Sequence, residues 1–169
     1  MTVLSFDHVP SPLGMVTLVA SDSALCALDF PIRRSRMLER LRSRFSRLAL
    51  KRRGDPNGYA TRVRAYFSGD FGALDEIAVD SGGTPFQEQV WSTLRKIPVG
   101  ATMTYREIAQ LLRQPRAIRA VGLANARNPV CLVIPCHRVI GSDGCLRGYA
   151  SGIWRKQWLL QHEGALPPA

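Results

Sequence analysis

Apolar and polar residues alternate with a period of two near the start of the chain, which predicts strands. The run from Leu13 to Ala20 follows a Pro/Gly turn that begins at Ser11-Pro12. The run from Ala24 to Phe30 answers it after Ser21-Asp22-Ser23, so the two form a hairpin, and Pro31 ends the second arm. The spacing then changes to three and four. Met37, Leu38, Leu41, Phe45 and Leu48 predict a helix over 32–49, whose other face holds Arg33, Arg36, Arg40, Arg44 and Arg47. No aromatic residue interleaves these charges, so the face reads as solvated arginine with snorkelling stems rather than as a nucleic-acid patch. Residues 51–58 read as a loop. Tyr59 to Phe67 reads as a short helix with Tyr59, Val63, Tyr66 and Phe67 inward.

Ser81-Gly82-Gly83 marks a boundary between an N-terminal lobe, 1–80, and a second domain, 81–169. Thr84-Pro85-Phe86-Gln87 opens a helix with a capping box and a proline at the first helical position; the helix is expected to run to about Lys96. Trp91 is expected in its core. Thr104-Tyr105-Arg106-Glu107 is a second capping box, starting a short helix that Arg113-Gln114-Pro115 breaks. A third helix is expected from Arg116 to about Arg127. Two short helices joined by a tight turn fit a helix-turn-helix. The second is rich in small residues (Ala117, Ala120, Gly122, Ala124, Ala126), which let a backbone approach another helix or a DNA groove closely. The apolar run Cys131-Leu132-Val133-Ile134 predicts a short buried strand ended by Pro135. Gly141-Ser142-Asp143-Gly144 is a turn, 146–152 a flexible loop, and Ile153 to Glu163 a last helix with Gly164 as terminator. Residues 165–169 are expected to be disordered.

Charge sharpens the choice between helix and groove. The net charge is +10, and residues 81–169 hold eleven basic against four acidic side chains. A polyanion, most simply DNA, is the expected partner. No run of eighteen apolar residues exists, and Met1 to Asp7 lacks a signal-peptide pattern, so neither a transmembrane helix nor secretion is expected. The location expected is the cytoplasm, with the four cysteines reduced.

Cys26 and Cys131 sit in apolar runs and read as small buried hydrophobes. Cys136 differs. It leaves a predicted strand just after Pro135, and His137 and Arg138 follow at once. Positive neighbours favour thiolate over thiol. Adjacent side chains on a strand point to opposite faces, so a turn or a bridging water has to connect Cys136 with His137. Cys136, His137, Cys145 and His162 fit no common zinc spacing, and neither a metal nor a cofactor is expected.

Pro135-Cys136-His137-Arg138-Val139 resembles the active-site signature of the O6-alkylguanine-DNA alkyltransferases. Thr84 to Gly100, Tyr105 to Leu112, Arg119-Ala120-Val121-Gly122, Asn128-Pro129, Gly148-Tyr149 and Trp158 to Gly164 match in order, covering most of 84–164; Ser11 to Gly14 and Tyr66 to Gly69 match more weakly. The compact chain is similar to the stand-alone bacterial form. The resemblance implies an α+β fold: a small sheet-plus-helix lobe like ribonuclease H, then a mostly helical lobe with a winged helix-turn-helix. It implies direct-reversal DNA repair, in which the alkyl group of O6-alkylguanine in duplex DNA, less well that of O4-alkylthymine, passes irreversibly to Cys136, once per chain.

Roles follow by matching position. Cys136 is the nucleophile, His137 its base through a water, and Glu163 the carboxylate that orients His137. Asn128 is the hinge and Tyr105 helps rotate the nucleotide and assists the leaving group. Arg119 is the finger that replaces the flipped base, with Arg116, Ala117, Ala120 and Gly122 beside it in the minor groove. Val139, Tyr149, Ala150 and Ser151 line the base pocket. Ile118 and Ser151 stand where the family usually has smaller residues. The protein is expected to be a monomer that recognises duplex DNA containing alkylated guanine, with assembly of several copies along DNA left open.

Two alternatives compete. A lesion sensor that binds DNA without transferring the alkyl group would lack the cysteine that is present here. A thiol hydrolase would turn over and would leave the arginine-bearing helix without a purpose.

Overall fold

The computed structural model describes residues 1–168. The chain divides into two compact units: Met1–Gly82 with Pro129–Val133, and Gly83–Asn128 with the residues from Ile134 onward.

In the first unit the alternating residues form β1 (Thr2–Val9), β2 (Val16–Ala20) and β3 (Leu25–Asp29), an antiparallel meander. Every residue of β2 and β3 is buried. A 3-10 turn, Pro31–Arg33, leads into α1 (Arg34–Arg44). Met37 and Leu41 of α1 pack on Leu4, Val19, Cys26 and Ala27, each burial stabilising by about 1.5–3 kcal/mol.

The helix expected over 32–49 stops at Arg44. Phe45 turns extended, and Leu48 belongs to β4 (Leu48–Arg52), which pairs parallel to β1 and completes the order β3-β2-β1-β4. Leu48 continues the helical spacing of Leu41 and Phe45, but Leu48 and Leu50 also alternate, and both pack on the same core as Phe6 and Phe45. Tertiary packing decides between the two periods. Lys51 and Arg52, expected in a loop, are the exposed end of this edge strand, where charge discourages further pairing. The arginine face is also not uniformly solvated. Arg33 is buried beside Asp29, and Arg44 donates to the backbone oxygen and carboxylate of Asp80. After a 3-10 turn at Pro56–Gly58 comes α2 (Tyr59–Phe67), which buries Tyr59, Ala60, Val63 and Tyr66.

In the second unit both capping boxes form, each with its two reciprocal hydrogen bonds, at the starts of α3 (Pro85–Leu94) and α4 (Tyr105–Leu111). The helical ladder of α3 ends at Leu94, and 3-10-type bonds then tighten the chain as far as Ile97. Trp91 is buried and donates through Nε1 to the Ala124 oxygen at 2.9 Å. Two-residue strands β5 (Met103–Thr104) and β6 (Val139–Ile140) pair in parallel. α5 (Ile118–Ala126) begins two residues later than expected, because Arg116 and Ala117 lie in the turn closed by Ala117 N–H on the Gln114 oxygen. α6 (Ile153–His162) ends with Glu163 as its C-cap and Gly164 at φ +79. Ile153 and Trp154, at the start of α6, are exposed.

The strand expected at Cys131–Ile134 does not form as such. Val130 makes a single bridge to Leu28, then Leu132 and Val133 turn, with Leu132 at φ +71. Hydrophobicity here reports burial rather than extension: Asn128 to Val139 are all buried. Pro129 and Pro135 bracket the stretch and remove the N–H groups a longer ladder needs. In the tail, Ala165 and Leu166 donate backbone N–H groups to the Leu160 oxygen, so the chain is tied to the end of α6 rather than disordered there. Ala169 lies outside the described residues.

Candidate active site

Pro135 (ψ 66) lies in a tight turn closed by Cys136 N–H on the Ile134 oxygen, and Cys136–Arg138 follow as one 3-10 turn, closed by Arg138 N–H on the Pro135 oxygen. Three residues per turn point three successive side chains in different directions. All three are buried; Cys136 is 3 % exposed and His137 fully enclosed.

His137 and Arg138 both turn to Glu163. His137 Nε2 lies 2.8 Å from Glu163 Oε1. Arg138 donates through Nε to Oε2 at 2.9 Å and through Nη2 to Oε1 at 2.8 Å, and its Nη1 reaches the Ile97 oxygen at 2.6 Å. Burial works against the charge of Glu163, but the hydrogen bonds from His137 and Arg138 and the Arg138 charge prevail and hold its carboxyl below the usual range. Burial pulls the His137 pKa down, with only partial opposition from Glu163, so its imidazole is neutral near pH 7. An ionised Glu163 only accepts, so the single ring proton sits on Nε2. Nδ1 is then the basic nitrogen, and it meets no hydrogen-bonding group among the described residues. The arrangement is a neutral base next in sequence to a thiol, fixed in one tautomer by a carboxylate that is itself clamped by an arginine.

Asn128 is completely buried just after α5 and donates to the Ile134 oxygen at 2.7 Å, tying the end of that helix to the residue before Pro135. Tyr105 opens α4. Its hydroxyl donates to the Arg147 oxygen at 3.3 Å, and burial, then the charge of Cys136, raises its pKa, so it keeps its proton. Its ring is the nearest group to the position a side chain would take at Gly122 on α5. Val139, Tyr149 and Ser151 are buried and Ala150 is exposed. Arg116, in the turn before α5, and Arg119 and Ala120 on α5 are exposed, with Ala117 and Gly122 half-buried.

Two groups were not singled out from the sequence. Lys156 on α6 is completely buried; its Nζ donates to the Val139 and Arg147 oxygens. Burial pushes its pKa down to about 8, against the opposing attraction of Cys136. The signal was present: Lys156 shares three-, four- and seven-residue spacing with Leu159, Leu160 and Glu163, the buried face of α6. Asn125, buried on α5, donates to the Cys136 oxygen at 3.4 Å. Among the described residues no group of three His, Cys, Asp or Glu could hold a metal ion.

The family described as 6-O-methylguanine DNA methyltransferase, DNA binding domain, matches residues 85–165. The methylated-DNA–protein-cysteine methyltransferase of Shigella flexneri is 40% identical over 163 residues, spanning 95% of each chain. That of Mycobacterium tuberculosis is 40% identical over 167 residues, 99% of this chain and 96% of its own. The crystal structure of Mycobacterium tuberculosis OGT in complex with DNA superposes with a TM-score of 0.80 at 37% identity, covering 95% of this chain and 92% of that one. The O6-methylguanine-DNA methyltransferase from Pyrococcus kodakaraensis superposes at 0.75 and 29% identity, covering 95% and 99%. Such identity over nearly the full length of both partners leaves one assignment: the chain belongs to the methylated-DNA–protein-cysteine methyltransferase family.

Proposed function

We propose that the protein binds duplex DNA and repairs O6-alkylguanine by moving the alkyl group to Cys136 in a single, irreversible displacement. The alkyl carbon lies inside the base stack, so the nucleotide is extruded into a pocket lined by Val139, Tyr149, Ala150 and Ser151. The protein acts as a monomer from the minor groove, with Arg119 filling the gap in the stack and Arg116, Ala117, Ala120 and Gly122 close to the strands. Minor-groove readout is nearly blind to sequence, which suits a protein that inspects any site.

His137 Nδ1 takes the Cys136 proton through a water. The thiolate attacks the alkyl carbon, the sulfur–carbon bond forms as the carbon–O6 bond breaks, and the electron pair leaves on guanine. Tyr105 supplies a hydrogen bond or proton to that leaving group. Asn128 keeps α5 in register with the Cys136 turn, and the Lys156 ammonium favours the thiolate. The thioether left behind does not hydrolyse, so each chain acts once. O4-alkylthymine is a poorer substrate.

The observation that carries this reading is the Glu163-held imidazole, unprotonated on Nδ1, beside a buried cysteine. It favours transfer over lesion sensing, which needs neither group. The test is a titration with excess O6-methylguanine duplex. The transfer reading expects one guanine restored per chain and then none; continued turnover or no repair would exclude it.

A further inference from the structure

Trp154 has no part in the chemistry above, yet it is large, apolar and 54% exposed. Its surroundings hold it in place. The Arg155 guanidinium carbon lies over its ring, 4.4 Å from the centroid. Arg155 Nη1 donates to the Ser151 oxygen at 2.7 Å, so the stacked pair is fastened to the loop that carries Tyr149 and Ser151. The indole edge also closes on Gly152: a Cβ there would come within 3.2 Å of the ring, at a backbone φ of +103 that side chains rarely adopt. The same loop faces Tyr105 on its other stretch, through Arg147 and Gly148, and Tyr105 in turn faces Gly122 on α5. A continuous set of contacts therefore runs from α5 through Tyr105 and the loop to Trp154.

We propose that Trp154 and Arg155 form an aromatic and cationic ledge at the lip of the base pocket that contacts the DNA strand carrying the extruded nucleotide. The inference rests on the alkyltransferase reading and adds a binding surface to it. A single sugar–phosphate chain at the pocket mouth offers an apolar sugar face and a negative phosphate, and a rigid indole beside a guanidinium matches both. Exposed aromatics with arginine are the usual means of holding unpaired nucleic acid. The charge of this unit, eleven basic against four acidic residues over 81–169, agrees with a strand passing over it.

The test uses the full chain and a short duplex containing O6-methylguanine, followed by intrinsic tryptophan fluorescence. Trp91 is buried and Trp158 is stacked on His162, with ring centroids 4.7 Å apart, so Trp154 dominates any change on binding. Binding should quench wild-type emission, and Trp154→Phe should abolish that quench. Trp154→Ala should bind the duplex about tenfold more weakly, and Trp154→Phe should recover most of the loss. Arg155→Ala should lower the salt dependence of binding by about one phosphate contact. Unchanged melting temperatures separate these effects from misfolding. A quench that persists in Trp154→Phe, or Trp154→Ala binding within about twofold of wild type, overturns the proposal. So does a Trp154→Ala defect confined to bulky O6 substituents with affinity for undamaged duplex intact, which would make the ledge a reader of the alkyl group. Failure of the alkyltransferase reading itself would show separately, as wild-type protein that quenches but acquires no methyl group.

Discussion

Asp29 and Glu163 are both buried carboxylates with an arginine partner, yet they bind protons in opposite ways. Asp29, at the end of β3, accepts from Phe30 N–H at 2.9 Å and from the Cys131 thiol at 3.5 Å, and Arg33 Nε stands 3.5 Å away. Burial outweighs these contacts and raises its pKa. Glu163 has three close charged or ring donors, from His137 and from two nitrogens of Arg138, and its pKa falls. The number and closeness of donors, not burial, decide whether an enclosed carboxylate stays ionised. An ionised Glu163 fixes the His137 tautomer, whereas Asp29 accepts from a backbone N–H and a thiol. On the proposed function, Cys131 is thus a packing residue and Cys136 the reacting one.

The contrast breaks most sharply at the thiols. Cys136→Ser should abolish alkyl transfer to DNA-borne lesions, while Cys131→Ser should transfer at a rate within about twofold of wild type, because only the first contacts the reacting carbon. Single-turnover repair of a labelled duplex measures both. Next in size, His137→Gln should slow transfer by about 10²–10⁴-fold, the usual contribution of a positioned base. Glu163→Gln should slow transfer and also destabilise the chain by about 3–5 kcal/mol, since it leaves Arg138 buried without its counter-charge. Asp29→Asn should cost only about 1 kcal/mol and leave transfer intact, because its carboxyl already tends toward the neutral form. Chemical denaturation of the two variants gives the comparison directly.

Smaller effects appear against pH. Transfer should rise as His137 loses its proton, at a pH below its ordinary 6.5, and fall again above about 8 as Lys156 loses the charge that supports the thiolate. Lys156→Met should lack the upper fall. Stability separates the two carboxylates as well. Glu163, depressed in the fold, contributes fully above its ordinary 4.5 and less as pH falls below it. Asp29, raised in the fold, does the reverse: its burial is easiest in acid and becomes costly as pH rises through its folded value. The penalty of Glu163→Gln should therefore shrink in acid, whereas Asp29→Asn, which mimics the protonated form, should gain stability relative to wild type as pH rises through the folded pKa of Asp29.

Features set by neighbours in sequence were legible in the chain. The two capping boxes, the β2–β3 hairpin and the break after α4 all formed as read, because each depends on a few adjacent residues. Features set by distant partners were not. β4 hid inside a helical spacing because its pairing partner, β1, lies more than forty residues earlier. The turn at Leu132 looked like a strand because burial and extension both select apolar residues. In the site, His137 was legible beside Cys136, but Glu163 was placed through the family resemblance, since nothing local joins residues 26 apart. Arg138 as the clamp on Glu163 and Lys156 as a buried cation emerge only once α6 packs beside the Cys136 turn.

The central claim is that Cys136, and not another thiol, accepts the alkyl group. Its most direct test is the intact mass of the protein after incubation with O6-methylguanine duplex, followed by peptide mapping of all four cysteines. The account predicts one added methyl group, located on Cys136, with guanine restored in equal amount. Unmodified protein that still binds the lesion, or a methyl group on exposed Cys145, would contradict it.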